Sequence, residues 1–127
     1  MQLALNVAAM LIAFLAFIAM IDYLLALIRP DLSLSAVMAI FFAPVAALIG
    51  VPGADVPFIA DLLGTKLVTN EMVSYVKLNG EYSGVISERG HVLATYALTG
   101  FANFGSIGVL LGGLVEWRLG AERIWPA

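Results

Sequence analysis

The chain has 127 residues, 62% of them hydrophobic and only 12% charged, with a mean hydropathy of +1.02. A soluble domain carries about 25% charged residues, so the composition excludes that class and points to an all-α integral membrane protein. The net charge of −3, the absence of cysteine and the single histidine exclude a basic nucleic-acid surface, a disulfide framework, and a thiolate or histidine metal cluster.

The length accommodates about four membrane passes at about 20 residues each. The start carries no basic residue before a long apolar run, so it reads as a true transmembrane helix and not a cleavable signal peptide. That run covers residues 1–28 and holds Asp22 and Tyr23 near its end, where headgroups lie and Tyr is common. Asp22 reads as an interfacial or helix-contact residue. Arg29 and Pro30 then break the helix, and Asp31 or Ser33 can cap the next one. The second apolar segment, 32–51, is expected to be interrupted at Pro44. It is short for a span and could instead lie at the interface; Gly50 to Gly53 ends it with turn residues.

Segment 55–78 is apolar but carries Asp55, Asp61, Lys66, Asn70, Glu71 and Lys77. A charge at mid-depth costs about 2.5–3.5 kcal/mol on insertion scales, so such groups pair or line a cavity. The polar residues concentrate at Thr69-Asn70-Glu71, which predicts two short half-helices meeting at a polar tip, a re-entrant helical hairpin. Backbone of that kind is tolerated at membrane depth only where protein buries it or water reaches it. Lys66 is either a partner of Glu71 or a snorkelling side chain, and a structural or charge-balancing role is favoured.

A polar connection follows at 79–90, with Ser87 as N-cap and Glu88 in the first turn of the next helix. The last long apolar segment, 88–115, is interrupted at Gly100-Phe101-Ala102-Asn103-Phe104-Gly105-Ser106 and reads as a broken transmembrane helix. Gly108 and Gly112 form a GxxxG match, a signal for close packing only. A polar tail at 116–127 carries Trp117 and Trp125, suited to a headgroup layer.

Two stretches therefore place carboxylate, amide and hydroxyl groups inside apolar segments. Together they offer donors and acceptors for a hydroxyl-rich ligand such as a ribose, and broken helices expose further backbone groups. For Asn103 and Ser106 the alternative is interhelical hydrogen-bond glue, worth about 0.6 kcal/mol each. An intramembrane acid such as Glu71 is a functional candidate by default. No nucleophile–base pair is visible, so an enzyme is not expected.

Gly64-Thr65-Lys66-Leu67-Val68-Thr69-Asn70-Glu71-Met72-Val73-Ser74-Tyr75 resembles the signature of concentrative nucleoside transporters, G/A-x-K-x-x-x-N-E-F-V-A followed by an aromatic or Met. Gly100 to Ile107 resembles the same family's later G-F-A-N-x-x-S-I motif, and Ala4 to Phe14 resembles the helix that opens its C-terminal region. Order and spacing agree across nearly all of the chain. Met72 and Ser74 depart from the usual Phe and Ala, next to the tip.

The resemblance implies a scaffold helix at 1–28, an interfacial helix at 32–51, the hairpin at 55–78 and the broken helix at 88–115. It implies that Glu71, Asn103 and Ser106 contact the ribose, that Phe101 helps line the site, and that Asn70 belongs to it. It further implies cation-coupled nucleoside uptake by alternating access, with this chain supplying the ribose half. No metal or cofactor is expected on these residues. The coupling cation, Na+ or H+, is expected in a preceding half that also contacts the base. The implied partners are a nucleoside, the lipid bilayer and, in the complete protein, two further copies in a homotrimer, in a bacterial inner membrane. The other reading is a truncated or structural membrane fragment without transport of its own.

Overall fold

The computed structural model describes residues 2–107 together with 109, 110, 113, 114 and 117. Gly108 and Gly112 of the GxxxG match lie outside the described residues, as does the tail at 116–127 apart from Trp117. The described residues form helices and connecting turns with no strand.

Helix α1 (Gln2–Ile28) is long and apolar enough to cross a membrane. Among its described side chains only Ile18 is buried, at 5% exposure, so most of its apolar surface is left for a nonpolar surrounding. It meets the segment after α5 through Leu11 and Phe14, whose side chains would lie 3.6 and 3.5 Å from a Cβ on Gly105, and its end is tied to the next helix by a polar bond. The Asp22 carboxylate accepts from the Leu34 backbone N–H at 2.7 Å, and Ser33 Oγ accepts from Ala36 N–H at 3.1 Å. Both acceptors satisfy donors that the next helix leaves free at its start. Asp22 is thus a helix-contact residue.

Helix α2 (Leu34–Ile49) runs through Pro44 without the expected interruption. Proline removes one helical hydrogen bond and crowds the preceding turn, yet the helix continues to Ile49 and packs along its start on the next helix. Gly64 of helix α3 (Val56–Val68) lies so near that a Cβ there would sit 2.5 Å from the Ser35 carbonyl oxygen and 3.0 Å from the Ala39 nitrogen. Because Gly64 is near the end of α3 and Ser35 near the start of α2, the two helices are antiparallel. Gly50 closes α2 in the left-handed region, φ 91°, with its N–H on the Ala46 and Ala47 carbonyls, a conformation natural to glycine.

Helix α4 (Glu71–Asn79) folds back along α3. Ser74 Oγ donates to the Leu62 carbonyl at 3.1 Å, and the Lys77–Asp61 ion pair, 2.6 Å, joins the last turn of α4 to the middle of α3. Helix α5 (Glu88–Leu98) starts on the Ser87 cap, with Glu88 in its first turn, as the sequence predicts. Ile59, Leu62, Leu78, Ala94 and Leu98 form the core between α3, α4 and α5, with Ala46 from α2. Tyr75 OH donates to the Thr95 carbonyl at 2.8 Å, tying α4 to α5.

Candidate functional site

Two interruptions of the backbone come together on one side of this core. The first separates α3 from α4 at Thr69 and Asn70. The second follows α5, from Thr99 to Asn103, before helical structure resumes at Phe104. Each ends in an asparagine that caps the helix after it. Asn70 Oδ1 accepts from Val73 N–H at 2.9 Å. Asn103 Oδ1 accepts from Ser106 N–H at 2.7 Å, while Ser106 Oγ donates to the Asn103 carbonyl at 2.6 Å.

The two caps converge. Glu71, in the first turn of α4, accepts on Oε2 a hydrogen bond from Asn103 Nδ2 at 3.2 Å. Asn103 is 5% exposed, and its amide is spent in two directions, the oxygen on its own helix and the nitrogen on Glu71. Glu71 therefore lies at one helix N-terminus and is bonded to the residue that caps another. A carboxylate has about four lone-pair sites, an amide nitrogen two hydrogens and a hydroxyl both functions. The cluster can thus accept hydroxyl protons and donate to hydroxyl oxygens at once.

Of the five residues singled out in the sequence, Glu71, Asn103 and Ser106 form this connected cluster. Asn70 stands one residue before it with its side-chain oxygen engaged in the cap. Phe101 sits in the second break, 66% exposed, with no ring partner among the described residues. Lys66 does not pair with Glu71. Its Nζ donates to the Ala97 carbonyl at 3.1 Å and the Thr99 carbonyl at 3.3 Å, where α5 ends.

One supporting residue had no signal in the sequence beyond being an acid among apolar neighbours. Asp55, the N-cap of α3, is buried and accepts from the Ser87 backbone N–H at 3.3 Å and from the Ser87 hydroxyl at the start of α5. It packs so closely that a Cβ on Gly90 would collide with its carboxylate. At the hairpin's other end, Asp61 takes the Tyr82 hydroxyl at 2.8 Å beside Lys77. Burial first, and then the bond to Asp61, push the Tyr82 phenol well above its ordinary range, so it remains a donor.

Comparison with known proteins places this geometry. Residues 1–119 match the family described as "Na+ dependent nucleoside transporter C-terminus". The chain is similar to an uncharacterized transporter of Haemophilus influenzae, 43% identical over 90% of this chain and 30% of that protein. It is also similar to sodium/nucleoside cotransporter 1 of Sus scrofa, 43% identical over 87% of this chain and 20% of that protein. Among solved structures, a variant of CNTnw in an intermediate state superposes with a TM-score of 0.79 at 39% identity, covering 89% of this chain and 30% of that one. CNTnw in an inward-facing substrate-bound state gives 0.69 at 42% identity, covering 89% and 28%. The chain thus spans less than a third of the length of these proteins.

Proposed function

The chain belongs to the Na+-dependent nucleoside transporter family, and from that premise we propose that it supplies the ribose-binding half of a cation-coupled nucleoside transporter. The observation that carries this reading is the 3.2 Å hydrogen bond between Glu71 and Asn103, which joins the two helix breaks at one point. In the bound state the Glu71 carboxylate accepts from ribose hydroxyls. Asn103 Nδ2 donates to the same hydroxyl oxygens, Ser106 Oγ completes the set, and the exposed Phe101 ring covers an apolar side of the ligand. Asn70 shapes the tip through its cap.

Helix length supports a position near mid-membrane. At 1.5 Å per residue the 13 residues of α3 reach about 20 Å, and α4 and α5 are shorter, against about 30 Å of hydrocarbon. A pair of such helices entering from one side brings its tip to mid-depth and turns back, which is the re-entrant reading of 55–78. The 16 residues of α2 suit an interfacial helix, whereas the 27 of α1 suit a span and a scaffold. In this proposal the base and the coupling cation, Na+ by analogy with the named relatives, are held by another part of the transporter. Access alternates as the hairpin moves relative to α1, and three copies assemble in the inner membrane.

Uridine uptake by the intact transporter carrying this chain, reconstituted in vesicles, tests the reading. Glu71→Gln is expected to raise KM for uridine by about tenfold or more and to reduce discrimination against the 2′- and 3′-deoxy analogues. Full uptake with unchanged discrimination would remove Glu71 from the sugar site. Uridine binding at micromolar level by the isolated chain would instead show that this part needs no other half.

A further inference from the structure

Helix α5 is held at both ends by one neighbour. Asp55, at the start of α3, accepts from Ser87 at the start of α5. Lys66, in the last turn of α3, donates to the Ala97 and Thr99 carbonyls at the end of α5. The two helices therefore run in the same direction, with an acid at the positive end of α5 and a cation at its negative end. Both charges have the sign that stabilises the helix dipole.

We propose that Lys66 is a positioning residue for sugar recognition, acting through the broken end of α5 and not by touching the ligand. The proposal rests on the reading of Glu71 and Asn103 as the ribose site. The last carbonyls of a helix lack partners within it, and five residues separate the end of α5 from the next helical residue, Phe104. Gly100 within that gap has a φ of 113°, and a Cβ on it would lie 3.9 Å from Lys66 Nζ. Lys66 thus fixes the near end of the break, on the carbonyls either side of Leu98, while the Asn103 cap fixes the far end. Because Lys66 is itself in the helix that leads into Thr69-Asn70-Glu71, one side chain sets the second break relative to the first. The quantity it controls is the separation of Glu71 from Asn103.

Lys66 stands five residues before Glu71, close enough in sequence to suggest an ion pair. Its ammonium is instead spent on backbone carbonyls, leaving the Glu71 carboxylate to Asn103 and a ligand. This separates two effects of its removal. A general packing role would reduce the amount of folded transporter and the maximal rate, without altering which hydroxyls are read. A positioning role alters the geometry of hydroxyl recognition in the molecules that do fold.

The experiment is uptake of uridine and 3′-deoxyuridine by the intact transporter in vesicles, with Lys66→Met and Lys66→Gln. Lys66→Met keeps the apolar stem and removes every donor; Lys66→Gln keeps one neutral donor. Lys66→Met is expected to raise uridine KM and to bring the 3′-deoxyuridine-to-uridine KM ratio down by about tenfold, toward one, the effect of one misplaced hydrogen bond. Lys66→Gln is expected to lie between Met and wild type, and it carries the test if Lys66→Met does not accumulate. An unchanged ratio with only a lower maximal rate would overturn the positioning role. Glu71→Gln measured alongside separates the two levels: a ratio lowered by Glu71→Gln but not by either Lys66 variant overturns this inference alone. A ratio unmoved by Glu71→Gln overturns the ribose site on which it rests.

Discussion

Between α3 and α4 the chain leaves helical structure for two residues, Thr69 and Asn70, whereas after α5 it does so for five, Thr99 to Asn103. The shorter break is satisfied from within. Thr69 returns both its N–H and its hydroxyl to the Thr65 carbonyl, at 2.8 and 2.7 Å, and Asn70 caps α4. The longer break starts similarly, with the Thr99 hydroxyl on the Tyr96 carbonyl at 2.6 Å, but it also needs a left-handed glycine and a lysine from another helix. A tight break is a local property of its own residues, and a wide one belongs to the tertiary structure. The two asparagines differ in the same sense: Asn70 bonds within its own tip, and Asn103 reaches across to Glu71.

Cap removal gives the largest expected contrast. Asn70→Ala should cost about 1 kcal/mol, the ordinary value for an N-cap. Asn103→Ala loses a cap and also leaves the Glu71 carboxylate without its amide donor, so about 2–3 kcal/mol is expected. Thermal unfolding of the intact transporter in detergent measures both. Equal losses would mean that the Glu71–Asn103 bond adds nothing and that the breaks are energetically alike.

Backbone strain sharpens the contrast at smaller size. Gly100→Ala puts a Cβ on a residue at φ 113° and should cost about 1–2 kcal/mol. Thr69→Ala, in the other break, meets no positive φ and loses one hydroxyl bond, about 0.5–1 kcal/mol. If Gly100→Ala proved the milder change, the wide break would be adjustable and not a fixed part of the site.

How much of this was legible beforehand follows from the same distinction. Groups that bond to near neighbours announced themselves: Ser33 and Ser87 as caps, Gly50 as a turn residue, Asn70-Glu71 as a polar tip. Glu71 and Asn103 were readable as polar residues in apolar segments, and their joining was implied by the family resemblance. The ties of Asp22 to Leu34 N–H, Asp55 to Ser87 and Lys66 to Ala97 and Thr99 were not readable. In each, at least one partner is a backbone group, which every residue carries, so no residue type marks it. Pro44 shows the converse. A local rule predicted an interruption, and the helix instead continues through the proline to Ile49.

The smallest effect on sugar recognition is expected farthest from both breaks. Tyr82, Asp61 and Lys77 hold the open end of the hairpin, with the Phe58 and Tyr82 ring centroids 5.3 Å apart. Tyr82→Phe removes the hydroxyl bond to Asp61 but keeps the ring contact, so about 1 kcal/mol of stability is expected to go. The uridine to 3′-deoxyuridine discrimination should not change. The pH dependence has a definite sign. The phenol titrates above its ordinary value of 10.0 in the folded protein, so between the two values the unfolded chain holds fewer protons than the folded one. The contribution of Tyr82 is therefore complete below about pH 10 and declines as pH rises further toward the folded value. Melting temperature followed from neutral pH past 10 should fall more steeply for the wild type than for Tyr82→Phe. If the substitution changed sugar discrimination instead, the open end of the hairpin would be coupled to its tip. The breaks would then be positioned by the length of α3 and α4 as well as by Lys66.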